Sequence, residues 1–240
     1  MKKAEDRVLI AKMQTYLHKQ QFVDPWIPPH HPAYGGWGFG ESHLSPGFVG
    51  HVDLSNTRKI LQALRDSGFD MRSIQEQAQV FLDRCQNKGF SEVFDGGFYY
   101  SPVLLGTNKA GLLEAKDSTF ARSYATATCD GILALLALDS SSQDERLQKA
   151  REWLTKEEDW DLPGGIPKDH PQDWAPTLRL YHMAVRAEAY QALGIEGEWR
   201  KDLFRALEGF QREDGSFVNP KGARNKENDP LLATTLAVRA

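Results

Sequence analysis

Asp130 is the position at which chemistry is most strongly implied in this 240-residue chain. It lies in the stretch from Phe120 to Leu138, the most apolar of the sequence, among small residues such as Ala125, Ala127, Gly131 and Ala134. A carboxylate in such surroundings is costly unless it is paired or reaches water. Two readings stand. In one, Asp130 forms a structural ion pair with Arg122, or with Arg186 from the next apolar helix. In the other, it is an acid facing a water-filled cavity. Tyr181-His182 opens that next helix, and His182 reads as a buried, hydrogen-bonded histidine. Asp53 precedes a helix whose apolar face is Ile60, Leu61, Ala63 and Leu64, and a helix N-cap accounts for it. His30-His31 sits in a proline-rich loop without zinc-motif spacing. The glycines from Gly35 to Gly40 form no phosphate loop, since no strand precedes them and no Lys-Ser/Thr follows.

The elements that must position these residues recur. Tyr16-Leu17 is followed by Gln21 and then Gly36-Trp37; Phe81-Leu82 by Gln86 and Asp95-Gly96-Gly97-Phe98. Trp153-Leu154 is followed by Glu158 and Gly164-Gly165-Ile166; Ala206-Leu207 by Gln211 and Asp214-Gly215-Ser216-Phe217. A self-similar unit seen four times decides the architecture before any single residue does. Each unit holds a charge-bearing amphipathic helix, a glycine-rich loop, usually with an aromatic, and then a helix rich in Ala, Thr and Leu. Helices are predicted over 5–21, from Asp53 or Ser55 to Leu64, and from Ser73 to Cys85. Further helices are predicted over Phe120–Leu138, from a Ser142–Glu145 capping box through Leu154, over Thr177–Leu193, over Glu198–Gln211, and from Asp229-Pro230 onward. An amphipathic helix belongs outside and an apolar one inside. The expected fold is therefore all-α. It is one domain over 1–240, an (α/α) toroid-like array of about four helical hairpins, partial or open, with no competing strand-period segment. The segment Leu231–Ala240 is apolar and helical to its last residue, as expected of a chain cut inside a larger array.

Composition narrows the function. A net charge of -4 with no basic excess gives no reason to expect nucleic acid. Cys85 and Cys129 fall in different units, so a disulfide framework is not expected. The charged N-terminus is not a signal peptide, and the apolar run Ile132–Leu138 is too short to span a bilayer. The expectation is a cytoplasmic protein, peripheral to a membrane at most.

The Gln-and-aromatic signature resembles the QW repeats of the prenyltransferase and squalene-cyclase superfamily. Its matches are Phe81-Leu82 with Gln86 and Asp95–Phe98, Ala206-Leu207 with Gln211 and Asp214–Phe217, and Gly35-Gly36-Trp37-Gly38-Phe39. The segment from Ala121-Arg122-Ser123-Tyr124 to Gly131 looks like the inner helices of bacterial prenyltransferase and squalene-oxidase repeat proteins. The resemblance implies an (α/α) toroid with an apolar, isoprenoid-type ligand in a central cavity. In that cavity Arg122, Tyr124, Tyr181 and Arg186 would be ligand-binding, and Asp130, His182 and Asp53 would be the candidate catalytic groups. The cyclase acid motif aligns with Asp53–Thr57, where Asp53 and Thr57 match but Ser55 stands at the proton-donating position. The zinc set of protein prenyltransferases would fall on Cys129, Asp130 and His182, without the family's spacing, so neither zinc nor another cofactor is expected. The resemblance also leaves room for further hairpins or a second copy to complete the ring. The competing expectation is a non-catalytic helical-repeat scaffold that binds a peptide, glycan or protein on its concave face.

Overall fold

The second helix shows why these sequences fold locally as they do. Asp53 is extended and accepts the Asn56 N–H on Oδ1 at 2.9 Å, satisfying a first-turn donor that has no partner inside the helix. Leu54, Arg58, Leu61 and Leu64 then recur on one face and are all buried. The computed structural model describes residues 4–40, 48, 50–88, 95–115, 118–157 and 159–240. Glu158, residues 89–94 and residues 116–117 lie outside the described residues. About half of the chain is helical. The helices are α1 (Ala4–Lys19), α2 (Leu54–Asp66), α3 (Gln75–Cys85), α4 (Ala125–Ala137), α5 (Glu145–Lys156), α6 (Trp174–Thr177), α7 (Arg179–Ala192), α8 (Trp199–Glu208) and α9 (Pro230–Arg239).

The helices α2, α4, α7 and α9 form a row in which each packs on the next. The remaining long helices flank this row: α1 packs on α2, both α3 and α5 on α4, and α8 on α7. Helix α4 sits at the middle of the core, and twelve of its thirteen residues are buried. Its small side chains permit close approach. A Cβ on Gly131 would stand 2.4 Å from the Phe98 ring, so the helix and the aromatic loop meet there only because glycine has none.

The repeated signature is a hydrogen-bonding device. Gln21 Nε2 donates to the carbonyls of Gly35 at 3.0 Å and Ile74 at 3.4 Å. Gln86 Nε2 donates to those of Gly96 and Arg146, both at 2.8 Å. Each glutamine thus ties its own glycine turn to the start of the next flanking helix. Gln211 Nε2 reaches Gly215 at 3.4 Å. In three of the four units the aromatic after the turn is anchored by a threonine of the inner row. Trp37 N–H donates to Thr57 Oγ1 (3.0 Å), Phe98 N–H to Thr128 Oγ1 (3.0 Å) and Phe217 N–H to Thr234 Oγ1 (2.9 Å). Gly35 and Gly96 adopt φ of +88° and +86°, the left-handed region that glycine enters without steric cost.

Three local expectations are corrected. Phe120 and Ala121, expected to open the helix, are strand: β1 (Leu112–Ala115) pairs antiparallel with β2 (Ser118–Ala121), and α4 begins only at Ala125. Thr119 and Phe120, both β-formers, pair with Glu114 and Leu113, and this pairing outcompetes helix extension. The cap of α5 is Asp144, whose carboxylate accepts the Arg146 N–H at 3.0 Å, and not Ser142. The Thr177–Leu193 helix is divided at Leu178 into α6 and α7. No helix among the described residues is long and apolar enough to cross a membrane.

Candidate functional site

A cavity of about 320 Å³ opens where the N-terminal ends of α2, α4, α7 and α9 come together. Leu54, Ser55 and Lys59 face it from α2, and Thr126, Ala127 and Asp130 from α4. Tyr181 contributes from α7, and Leu232 and Leu236 from α9. The connection between α3 and α4 adds Tyr100, Lys109 and Tyr124, and the segment before α9 adds Asn225 and Glu227.

Asp130 is one of two carboxyl groups that line this cavity, Glu227 being the other. The Tyr181 hydroxyl lies 3.0 Å from both of its carboxylate oxygens, and Arg58 Nε lies 3.7 Å from Oδ1. Burial raises its pKa to about 6, against the lowering pull of Arg58, the Tyr181 hydroxyl and Lys59. Arg58 also donates to Glu188, which accepts from Gln62 Nε2 at 2.9 Å and from Arg239 Nη2 at 3.2 Å. A chain of charged groups therefore runs from the cavity through the inner row to its far side. Tyr181 is itself positioned from its backbone. Glu227 accepts the Tyr181 N–H on Oε1 at 2.9 Å and the Leu180 N–H on Oε2 at 3.0 Å, capping α7 from a distant segment. Burial raises the Glu227 pKa even so. It likewise raises Tyr100, Tyr124 and Tyr181, which stay neutral hydroxyls.

The residues singled out by sequence separate into two groups. Asp130, Tyr124 and Tyr181 come together in the cavity. Asp53 stands close by as the buried cap of α2, and its oxygens are occupied. Oδ1 also accepts from Ser55 Oγ at 2.7 Å, and Oδ2 accepts from Asn56 Nδ2 at 2.6 Å. Arg122, His182 and Arg186 lie elsewhere. Arg122 is exposed beside the β-hairpin, where its Nε reaches the Leu112 carbonyl at 3.5 Å. Arg186 donates to the backbone carbonyls of Glu157 and Asp159 and stacks over Trp160. His182 Nε2 meets the same Asp159 carbonyl at 3.1 Å, while burial lowers its pKa to about 3, so it is a neutral imidazole. These two side chains fasten the loop between α5 and α6. The partner of Asp130 is thus Arg58, in place of the expected Arg122 or Arg186.

Arg58, Lys59, Tyr100, Lys109 and Glu227 were not anticipated. Arg58 carries a readable signal, since it falls four residues after Leu54 and three before Leu61, inside the apolar stripe of α2. Lys109 and Glu227 come from irregular segments, where spacing gives no such signal. Among the described residues, no group of three or more His, Cys, Asp or Glu side chains is placed to hold a metal ion. Burial raises the Cys129 thiol rather than activating it. Comparison with known protein families, with curated proteins and with solved structures finds no match for this chain.

Proposed function

We propose that the chain is an (α/α) toroid-type domain that admits a small molecule to the cavity between α2, α4, α7 and α9 and exchanges a proton with it through Asp130. The observation that carries this reading is a buried carboxyl at about pKa 6 facing a cavity of about 320 Å³. Such a group is balanced between donor and acceptor near neutral pH. It suits transfer to or from an oxygen or nitrogen atom, and it is a weaker acid than alkene protonation needs. Leu54, Leu178 and Leu236 offer apolar contact to the body of the ligand, in keeping with the isoprenoid class implied by the repeats. The test is incubation with squalene, prenyl diphosphates and isoprenoid alcohols, comparing wild type with Asp130→Asn. Binding or turnover that depends on Asp130 is the expected result. Neither binding nor turnover across the panel removes the isoprenoid class. Titration of Asp130 near the ordinary carboxylate value of about 4 removes its role as the acid.

A second reading is favoured by one observation: Asp130 already has Arg58 and Tyr181 as partners. A carboxylate satisfied by its own protein suits a non-catalytic scaffold that takes a peptide, glycan or protein on its concave face. On that reading Asp130→Asn lowers stability and leaves partner binding intact.

A further inference from the structure

Lys109 follows the short 3₁₀ turn Leu105–Thr107, and its ammonium group enters the cavity. It lies 4.1 Å from the ring centroid of Tyr100, 5.3 Å from that of Trp174 and 5.9 Å from that of Tyr124. Aromatic faces hold a cation through their quadrupole but do not neutralise it. Among the described residues, no carboxylate lies within the 4.0 Å of an ion pair with Lys109, and its Nζ makes no hydrogen bond. Asp53 and Asp130 act on it only from farther away, and burial outweighs them, lowering its pKa. Lys59 reaches the same cavity from α2, 5.5 Å from the Tyr181 ring centroid, also without an ion pair among the described residues.

The acidic groups nearby are already engaged. Asp53 caps α2, Asp130 meets Arg58 and Tyr181, and Glu227 caps α7. Two amines remain without a counter-charge. The start of α4 adds a second, independent feature. Its N-cap residue, Tyr124, makes no side-chain capping bond. Thr126 and Ala127, whose first-turn amides have no acceptor among the described residues, line the cavity. Free N–H groups at the start of a thirteen-residue helix favour negative charge.

We propose that Lys109, Lys59 and the uncapped first turn of α4 form an anion subsite, so that the molecule taken into this cavity carries a carboxylate or phosphate group. The inference rests on the reading of this cavity as a small-molecule site and adds the charge of its ligand. The anion replaces the missing counter-ion of Lys109 and accepts from the Thr126 and Ala127 amides, with its remainder extending along Asp130.

The test is titration of the full chain with inorganic phosphate and, separately, acetate at constant ionic strength, with chloride as the control. Binding is followed by calorimetry and by the fluorescence of Trp174, whose ring faces Lys109; a Trp174→Phe variant assigns the signal. Saturable binding of phosphate or acetate over chloride is expected, and the arm that binds more tightly identifies the anionic group. Lys109→Gln should weaken it by about tenfold or more, the scale of one charge-assisted hydrogen bond. Lys109→Arg should retain most of it. Lys59→Gln, at an exposed position of α2, should weaken it several-fold without disturbing the fold, and decides the matter if Lys109→Gln does not fold. The subsite is overturned if neither anion saturates, or if the folded glutamine variants bind as wild type. The titration of Asp130 is read separately and without added anion, so loss of the acid and loss of the anion subsite are distinguishable results.

Discussion

Asp130 gathers opposing effects on one carboxyl group. Burial favours its neutral form, while Arg58 and the Tyr181 hydroxyl favour the charged one, and burial prevails to leave the pKa at about 6. Removing a donor to the charged form must raise the value further. Tyr181→Phe is therefore expected to move Asp130 up by about one unit, read by carbon-detected NMR of the side chain; an unchanged value would show that the hydroxyl does not hold the carboxylate. The same shift governs stability. The folded-state pKa lies above the unfolded value of about 3.9, so the folded chain binds more protons between the two values. The stability contributed by neutral Asp130 is fully present below about pH 4 and lost as pH rises through about 6. Relative to Asp130→Asn, wild type should lose up to about 3 kcal/mol over that window and then level off, as measured by urea unfolding. A flat difference contradicts the raised pKa. Asp130 was conspicuous in the sequence because apolar periodicity makes a buried carboxylate visible. Its partner was readable by the same logic, since Arg58 interrupts the stripe formed by Leu54, Leu61 and Leu64.

At the scale of elements, the hairpin joint combines a glutamine, a glycine turn and a threonine. The sequence displayed the first two in each repeat where Gln21, Gln86 and Gln211 stand. The threonine was hidden, because Thr57, Thr128 and Thr234 look like ordinary residues of apolar helices until the aromatic N–H groups reach them. Thr128→Val keeps the shape and leaves the buried Phe98 N–H without an acceptor, and should cost about 1–3 kcal/mol of stability. Gly131→Ala tests the other side of the joint. Its methyl group would meet the Phe98 ring at 2.4 Å, which calls for a shift of loop or helix and a loss of about 1–3 kcal/mol or more, although alanine is the better helix former. Chemical denaturation of both variants checks these values, and wild-type stability in either contradicts the joint as described. The β-hairpin of 112–121 shows the limit of local reading. Phe120 and Ala121 continue the apolar character of α4, and only their pairing with Leu113 and Leu112 across the hairpin removes them from it.

At the scale of the molecule, the inner row is a chain of neighbours, and stability in such an array is a sum of local terms and nearest-neighbour interfaces. Helix α4 packs on α2, α3, α5 and α7, whereas α9 packs chiefly on α7 and α1 on α2. The two outlying helices also show their apolar residues to solvent: Val8 and Tyr16 of α1 are each 59% exposed, and Leu231 of α9 is 80% exposed. The hydrophobic periodicity announced this row, since Ala, Thr and Leu crowd the helices that form it. It did not announce the cavity, because Lys109 and Glu227 arrive on segments with no period, and only the meeting of four helix ends gives them a shared space. Unequal burial should appear as unequal opening. Native-state hydrogen exchange is expected to be slowest in α4, intermediate in α2 and α7, and fastest in α1 and α9. Since Leu232 and Leu236 of α9 form one wall of the cavity, a ligand filling it should slow exchange in α9 more than in α1, which has no part in the site. Equal protection along the row would mean that the array opens only as a whole. Equal slowing of α1 and α9 on ligand binding would place the ligand outside the cavity.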